Sequence, residues 1–283
     1  MLTPLKFAAR QLRKSPGFTV VAVLSLALGI GANTAIFSLV NAVLLRPVAG
    51  VAEPERLVEI GRSREGRGSD TLSYPDLLDL RAGMKSLSHV FGYAFAPLNV
   101  RAGADAEARR QFGILVSANY FEALGVQPAL GRSFRVDEDS PQEAPVVIAS
   151  HSYWRGVLGG AADAVGRTLT VNGQAVTLVG ILPEGVRSHL GVLLPDLFLP
   201  MGAQSVALPA GRERLTRRQG FWLLAGGRLA RGSSLDQAEA ELQGVAQAII
   251  EQHPSERETM GLVIAPAGSL VADLRQPLAL FST

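Results

Sequence analysis

The sequence predicts an α+β fold: one apolar N-terminal helix followed by a body of mixed strands and helices. Three observations carry this. From Phe18 to Leu45 there is no Asp, Glu, Lys, Arg or His. Near each end of the remaining chain an extended run, a helical pattern and a second extended run follow one another, the arrangement of an α/β layer. Between them the stretch from about 125 to 217 is rich in Gly and Pro and reads as strands joined by loops.

The uncharged run comes first. As a helix, Phe18–Leu45 measures roughly 42 Å at 1.5 Å per residue, against a bilayer hydrocarbon core of about 30 Å. Lys6, Arg10, Arg13 and Lys14 precede it, while Arg46, Glu53 and Glu55 follow. The positive-inside rule then places residues 1–17 in the cytoplasm and 46–283 outside it. A cleaved signal peptide is the competing reading. Apolar residues resume at Ile36-Phe37-Ser38-Leu39-Val40 and run on to Leu45, beyond a signal core of about 7–15 residues, so a retained helix over 18–45 is favoured. Ser25, Gly29, Asn33 and Ala27, Gly31, Ala35 form two small-residue ladders at i, i+4, i+8, a spacing that lets a second helix approach closely. Leu2, Leu5, Ala9 and Leu12 oppose Lys6, Arg10 and Arg13, the pattern of an amphipathic helix lying on the inner leaflet and ending at Ser15-Pro16-Gly17.

Composition agrees. Hydrophobic residues make up 47% and mean hydropathy is +0.22, as one apolar segment on a globular body would give. Four of the 27 basic residues and none of the 25 acidic ones fall in residues 1–45, leaving 23 basic against 25 acidic in the body. Such a body is no cationic nucleic-acid binder. With no cysteine, disulfides and thiolate chemistry are excluded.

In the body, Leu57-Val58-Glu59-Ile60 reads as a strand followed by a polar loop to Asp70. Ser73 caps a helix with Pro75 and Asp76 in its first turn, whose predicted apolar stripe is Leu80, Met84, Leu87 and Phe91. Extended runs follow around Pro97–Val100 and over Phe112–Val116. Asn172-Gly173 between Leu169-Thr170-Val171 and Val176–Val179 is a strong hairpin signal. Val146-Val147-Ile148 and Leu197-Phe198-Leu199 are further strands. The last third gives a strand at Phe221-Trp222-Leu223-Leu224, a capping box at Ser234–Gln237, a helix face of Leu235, Ala238, Leu242, Val245 and Ile249 stopped by His253-Pro254, and a strand at Leu262-Val263-Ile264.

A search for chemistry yields no catalytic, cofactor or metal site. His89, His151, His189 and His253 lack ligand spacing, with His89 and His253 expected at helix ends. Asp137-Glu138-Asp139 with Glu143 lacks the calcium-loop pattern and reads as a solvated acidic loop. Arg212, Arg214, Arg217 and Arg218 read as a solvated loop before an anion site. Trp154 and Trp222 are expected in the core. The chain is not expected to be an enzyme.

The order of segments resembles ABC transporter permeases of the MacB/FtsX type, in the duplicated subgroup without a fused ATPase. The matching residues are Lys14–Thr19, Leu28–Phe37 and Leu44-Leu45-Arg46-Pro47, then Ser73-Tyr74-Pro75-Asp76, Ser117–Phe121, Leu124-Gly125-Val126, Gly131-Arg132, Val165–Leu169, Val171-Asn172-Gly173 and Val179–Pro183. The resemblance implies a MacB-like periplasmic core domain over 46–283, with a porter-like α/β part at 50–124 and 218–270 and a β-rich insertion at 125–217. It implies a place in the cell inner membrane, a separate ABC ATPase subunit, a second permease copy paired through the membrane helix, and no cofactor. Nucleotide-driven motion would pass to the external domain, for transport such as efflux or for control of envelope partners. The family continues, after a segment like Val271–Leu280, into further membrane helices, whereas this sequence ends at Phe281-Ser282-Thr283, so a truncated permease is expected. The alternative is a single-pass anchored binding or sensor module that uses the same external domain without transport.

Overall fold

A computed structural model describes residues 16–44, 50–64, 67–103, 106–186, 188–189, 194–209, 214–254 and 261–267. The amphipathic pattern at Leu2–Arg13 lies outside these residues. The chain divides into two units, Met1–Pro47 and Val48–Thr283.

The described part of the first unit is one helix, α1 (Pro16–Leu44). Pro16 and Gly17 belong to this helix, and the residues before Pro16 lie outside the description. Val20, Val21, Leu24, Leu26, Leu28 and Ile30 are exposed. A Cβ added at Gly29 or Gly31 would meet nothing within 4 Å among the described residues. Among the residues whose side chains are described, no helix is long and apolar enough to cross a membrane. The side chains of Phe18, Ala22, Ala32 and 35–44 lie outside the description and divide α1.

The second unit is built on one sheet. Its strands among the described residues are β1 (Leu57–Arg64), β2 (Arg67–Asp70), β3 (Leu87–Arg101), β4 (Arg109–Val116), β5 (Leu130–Gly131), β6 (Val146–Ala149), β7 (Thr168–Val171), β8 (Gln174–Ile181), β9 (Leu197–Pro200), β10 (Leu224–Leu229) and β11 (Gly261–Pro266). They run in the order β11-β1-β10-β3-β4-β9-β6-β8-β5, with β2 added to β1 and β7 joining β3 to β8. Strands from the two ends of the body thus occupy one half and strands from the middle the other. The expected loop before Asp70 is instead a hairpin, Arg62 pairing with Asp70.

Helix α2 (Tyr74–Gly83) starts as the sequence predicts: Ser73 accepts from the Asp76 N–H and the Asp76 carboxylate answers the Ser73 N–H. The predicted stripe does not survive beyond Met84. Leu87 and Phe91 belong to β3, because the Glu241 carboxylate takes the N–H groups of Lys85 at 2.9 Å and Ser86 at 2.7 Å and turns the chain out of the helix. His89 accordingly sits in a strand, not at a helix end.

Alternation along β3 divides the core. Ala94, Ala96, Leu98 and Val100 join Leu77 and Leu80 of α2, and Leu242 and Ile249 of α6 (Leu235–Gln252), in one apolar cluster. Phe91 and Tyr93 face a second cluster with Tyr120 and Phe121 of α3 (Tyr120–Leu124) and Phe198 of β9. Burying each large side chain contributes about 1.5–3 kcal/mol. The described residues of the unit also include two short α-helices, α4 (His151–Gly156) and α5 (Gln204–Ala207).

Pro97 lies within β3 at no cost to the ladder. Its partner Phe112 points its N–H and C=O at Asp196, so the pair is a non-hydrogen-bonded one and the missing N–H falls on the open edge of β3 between β10 and β7. The β7–β8 turn is as predicted, with Asn172 at φ 48° and Gly173 at φ 84°. The strand predicted at Phe221 begins only at Leu224. Leu223 pairs singly with Leu72, and the Arg62 guanidinium lies 3.5 Å above the Phe221 ring.

Candidate functional site

The chain enters the second unit through the segment Val51–Arg56 and, at the other end, Ala267 donates to the Leu57 carbonyl at 2.9 Å. The first and last described segments of the domain therefore lie at one end of β1. Arg228 holds this base together. It sits on a central strand facing the aromatic cluster, 6% exposed, and its guanidinium donates to the carbonyls of Ala52 at 2.5 Å, Glu53 at 3.2 Å and Ala123 at the end of α3. Arg56 reaches back to the Leu229 carbonyl from Nε at 3.1 Å and Nη2 at 2.5 Å. Gly125 closes α3 at φ 68°, and a Cβ there would stand 2.7 Å from that of Ala52, so glycine permits the incoming segment to lie against the helix end.

Behind the base lies a buried polar knot. Tyr120 Oη and His189 Nδ1 are 2.9 Å apart, and the Tyr93 ring meets the His189 ring edge to face at 4.4 Å. Burial pushes the His189 imidazole down to about 3 and the Tyr120 phenol up, so both are neutral near pH 7. Among the described residues Nε2 of His189 has no hydrogen-bond partner, and the neighbouring described rings offer it the weak N–H···π kind.

The acidic run is not a solvated loop. Asp137 is exposed beside Arg135, but Glu138 is buried and accepts Arg132 at 2.6 and 3.1 Å and the Arg135 N–H at 2.8 Å. Asp139 Oδ1 takes the N–H groups of Ala118 at 2.9 Å and Met201 at 3.3 Å. Burial pushes its carboxyl up to about 6. The tight turn Val136–Asp139 brings these carboxylates inward as acceptors for backbone N–H groups that would otherwise be orphaned.

The arginine run divides as well. Arg212 lies outside the described residues and Arg217 is exposed. Arg214 stands 5.7 Å from the Trp222 ring centre. Arg218 is largely buried, donating to Asp76 at 3.0 Å and Asp79 at 2.6 Å, because the i, i+3 spacing on α2 puts both carboxylates on one helix face. Trp222 is in the core and Trp154 packs against it.

Beside the open edge of β3 lies an open cleft of about 800 Å³, lined among others by Pro97, Asn99, Arg101, Asn172, Leu208 and Arg214. The Asn172 side chain fixes its floor, accepting the Asn99 N–H at 2.9 Å and donating to the Val206 carbonyl at 2.9 Å. Among the described residues no three His, Asp or Glu converge as a metal site would require.

The profile of the family described as the MacB-like periplasmic core domain matches residues 19–245. The chain belongs to that family. No curated protein matches it. Solved structures agree on the fold. The chain is similar to a domain described as belonging to a permease protein from Porphyromonas gingivalis, with TM-score 0.54 and 16% identity over 76% of this chain and 92% of that one. It is similar to the extracellular domain of the noncanonic ABC-type transporter YknZ from Gram-positive bacteria, with TM-score 0.52 and 15% identity over 73% and 99%. It is also similar to the periplasmic region of MacB from Actinobacillus actinomycetemcomitans, with TM-score 0.53 and 13% identity over 81% and 94%.

The MacB-like family is one of ABC permease components rather than classical enzymes. The residues that organise this MacB-like domain at its base, Arg56, Gly125 and Arg228, were not singled out as functional in the sequence. Arg228 follows two glycines that leave room for Phe91 and Leu87 on neighbouring β3, a placement legible only once the strands are paired.

Proposed function

We propose that this chain is the membrane-anchored external part of a MacB-type ABC permease. In this reading α1 crosses the inner membrane with residues 1–17 in the cytoplasm, and residues 46–283 stand outside it. The family match carries the reading, since it begins at residue 19, inside α1, and runs through the domain to residue 245. The domain's geometry supports it: with Val51 and Ala267 at one end of β1, displacement of a membrane helix would be felt at a single place. Arg228 would pass it to α3 and to the centre of the sheet.

The ATPase is a separate cytoplasmic subunit, and a second permease copy packs on the small-residue ladders of Ser25, Gly29, Asn33 and Ala27, Gly31, Ala35. Residues 50–124 and 218–270 act as the porter-like part and 125–217 as the β-rich insertion. Purification of the tagged full chain from its native membrane tests this. An ABC ATPase should co-purify, and its recovery should fall when Gly29 and Gly31 are both replaced by Leu. A stable monomer or dimer that brings no ATPase would instead indicate an anchored binding or sensor module.

A further inference from the structure

We propose that Asp139 is a proton-operated clasp: it fastens the segment leading into α3 to the segment leaving β9, and lets go more readily as its surroundings turn from acidic to neutral. Strands β4 and β9 are parallel neighbours whose ladder ends at Val116 and Pro200. Just past that end, the N–H groups of Ala118 and Met201 both donate to one carboxylate oxygen, Asp139 Oδ1, at 2.9 and 3.3 Å. The clasp itself comes from a third place, the turn Val136–Asp139. Gly202 makes room for it, since a Cβ there would collide with the carbonyl oxygens of Glu138 and Ser140. Helix α2 adds Arg81, which stands 4.0 Å from Asp139 Oδ2 and donates to Asn119 Oδ1 at 3.4 Å and the Val90 carbonyl at 3.2 Å.

The groups that face Asp139 set the direction of the response. Burial disfavours its charge and outweighs the two N–H groups and Arg81, which favour it. Glu138 adds a repulsion, moderated by its own bonds to Arg132 and the Arg135 N–H. Tyr74 of α2 stays a neutral phenol, pushed up to about 12 chiefly by its own burial. The clasped carboxyl consequently titrates at about 6 instead of 3.8. Once open to water it returns to its ordinary value, so the clasped form binds the proton more tightly and opening becomes easier as pH rises through 6. Helix α3 links the clasp to the base of the domain, because Arg228 grips the Ala123 carbonyl at the helix's far end.

Amide exchange at Met201 reads the clasp directly. The dipeptide Pro200-Met201 occurs once in the chain, so ¹³C-carbonyl proline combined with ¹⁵N-methionine marks that amide alone in an NMR spectrum. In the full chain, held in a non-ionic detergent, its protection is corrected for the intrinsic pH dependence of exchange. That protection should fall about tenfold between pH 5 and 7, and Asp139→Asn should abolish the fall. Because only the clasp opens, the exchange rate should not respond to urea well below the unfolding midpoint. Protection that stays level from pH 5 to 7 in the wild-type chain, or that falls equally in Asp139→Asn, would overturn the proposal. So would exchange that rises with urea as steeply as global unfolding, since Asp139 would then act on overall stability and not as a local clasp. The wild-type pH and urea profiles decide the matter alone should the variant not fold. No ATPase is present, so the outcome is independent of the transport reading.

Discussion

Arg228 donates from Nη2 to the carbonyl oxygen of Ala52 at 2.5 Å, tying a central strand of the domain to the segment by which the chain enters it. The same guanidinium serves Glu53 and Ala123. Arg228→Met should therefore take a donor from all three carbonyls, of which Glu53 keeps the Arg56 N–H at 3.1 Å, and cost roughly 2–4 kcal/mol in a denaturant melt at pH 7. Arg228→Lys should recover only part, because an ammonium lacks the fork that reaches three acceptors. A loss below about 0.5 kcal/mol, the scale of an ordinary surface change, would contradict the assignment.

A second ion cluster fastens α2. Arg218 meets Asp76 at 3.0 Å and Asp79 at 2.6 Å, and Asp76 is fully buried. Arg218→Ala is expected to cost about 1–3 kcal/mol, mostly because a buried carboxylate loses its counter-charge. A double-mutant cycle with Asp79→Asn should give a coupling near 1 kcal/mol; additivity would show that the pair does not interact.

Asp139 makes stability depend on pH in an unusual direction. Its carboxyl is pushed from 3.8 up to about 6 by burial. The folded state therefore holds the proton where the unfolded chain releases it, and this group's contribution, present below pH 4, is lost as pH rises through 6. Relative to Asp139→Asn, the wild-type chain should lose on the order of 2 kcal/mol between pH 4 and 7. Folding free energies of the two proteins measured across that window check this; parallel curves would sink it.

His189 acts in the opposite sense over an overlapping range. Burial lowers its imidazole from 6.5 to about 3, so its contribution is present above pH 6.5 and lost as pH falls towards 3. In a ¹H–¹⁵N imidazole spectrum its ring signals should stay in the neutral pattern from pH 5 to 8 while exposed histidines titrate. A midpoint for His189 near 6.5 would mean that the ring is solvated.

Local signals were legible where one residue's chemistry decides the backbone. Ser73 and Ser234 cap helices through their side chains, and Asn172-Gly173 takes the left-handed turn its sequence requires. Errors arose where a distant residue intervened. Glu241 ends α2 from 155 residues away, against a helical period that continues to Phe91. Likewise Asp139 and Arg218 read as solvated because charge in a loop usually is, and the backbone N–H groups and carboxylates that bury them become neighbours only in the fold. The cleft beside β3 has no sequence signature, since Arg101, Asn172 and Arg214 come from three separate segments.

The most direct test of the central claim, a domain held outside the cytoplasm by α1, exploits the absence of cysteine. Single cysteines at Ala162, exposed in the domain, and at Thr3 are probed in intact cells with a small membrane-impermeant maleimide. The account predicts labelling of Ala162→Cys in intact cells and of Thr3→Cys only after lysis. Labelling of Thr3→Cys alone in intact cells, or of Ala162→Cys only after lysis, would contradict it.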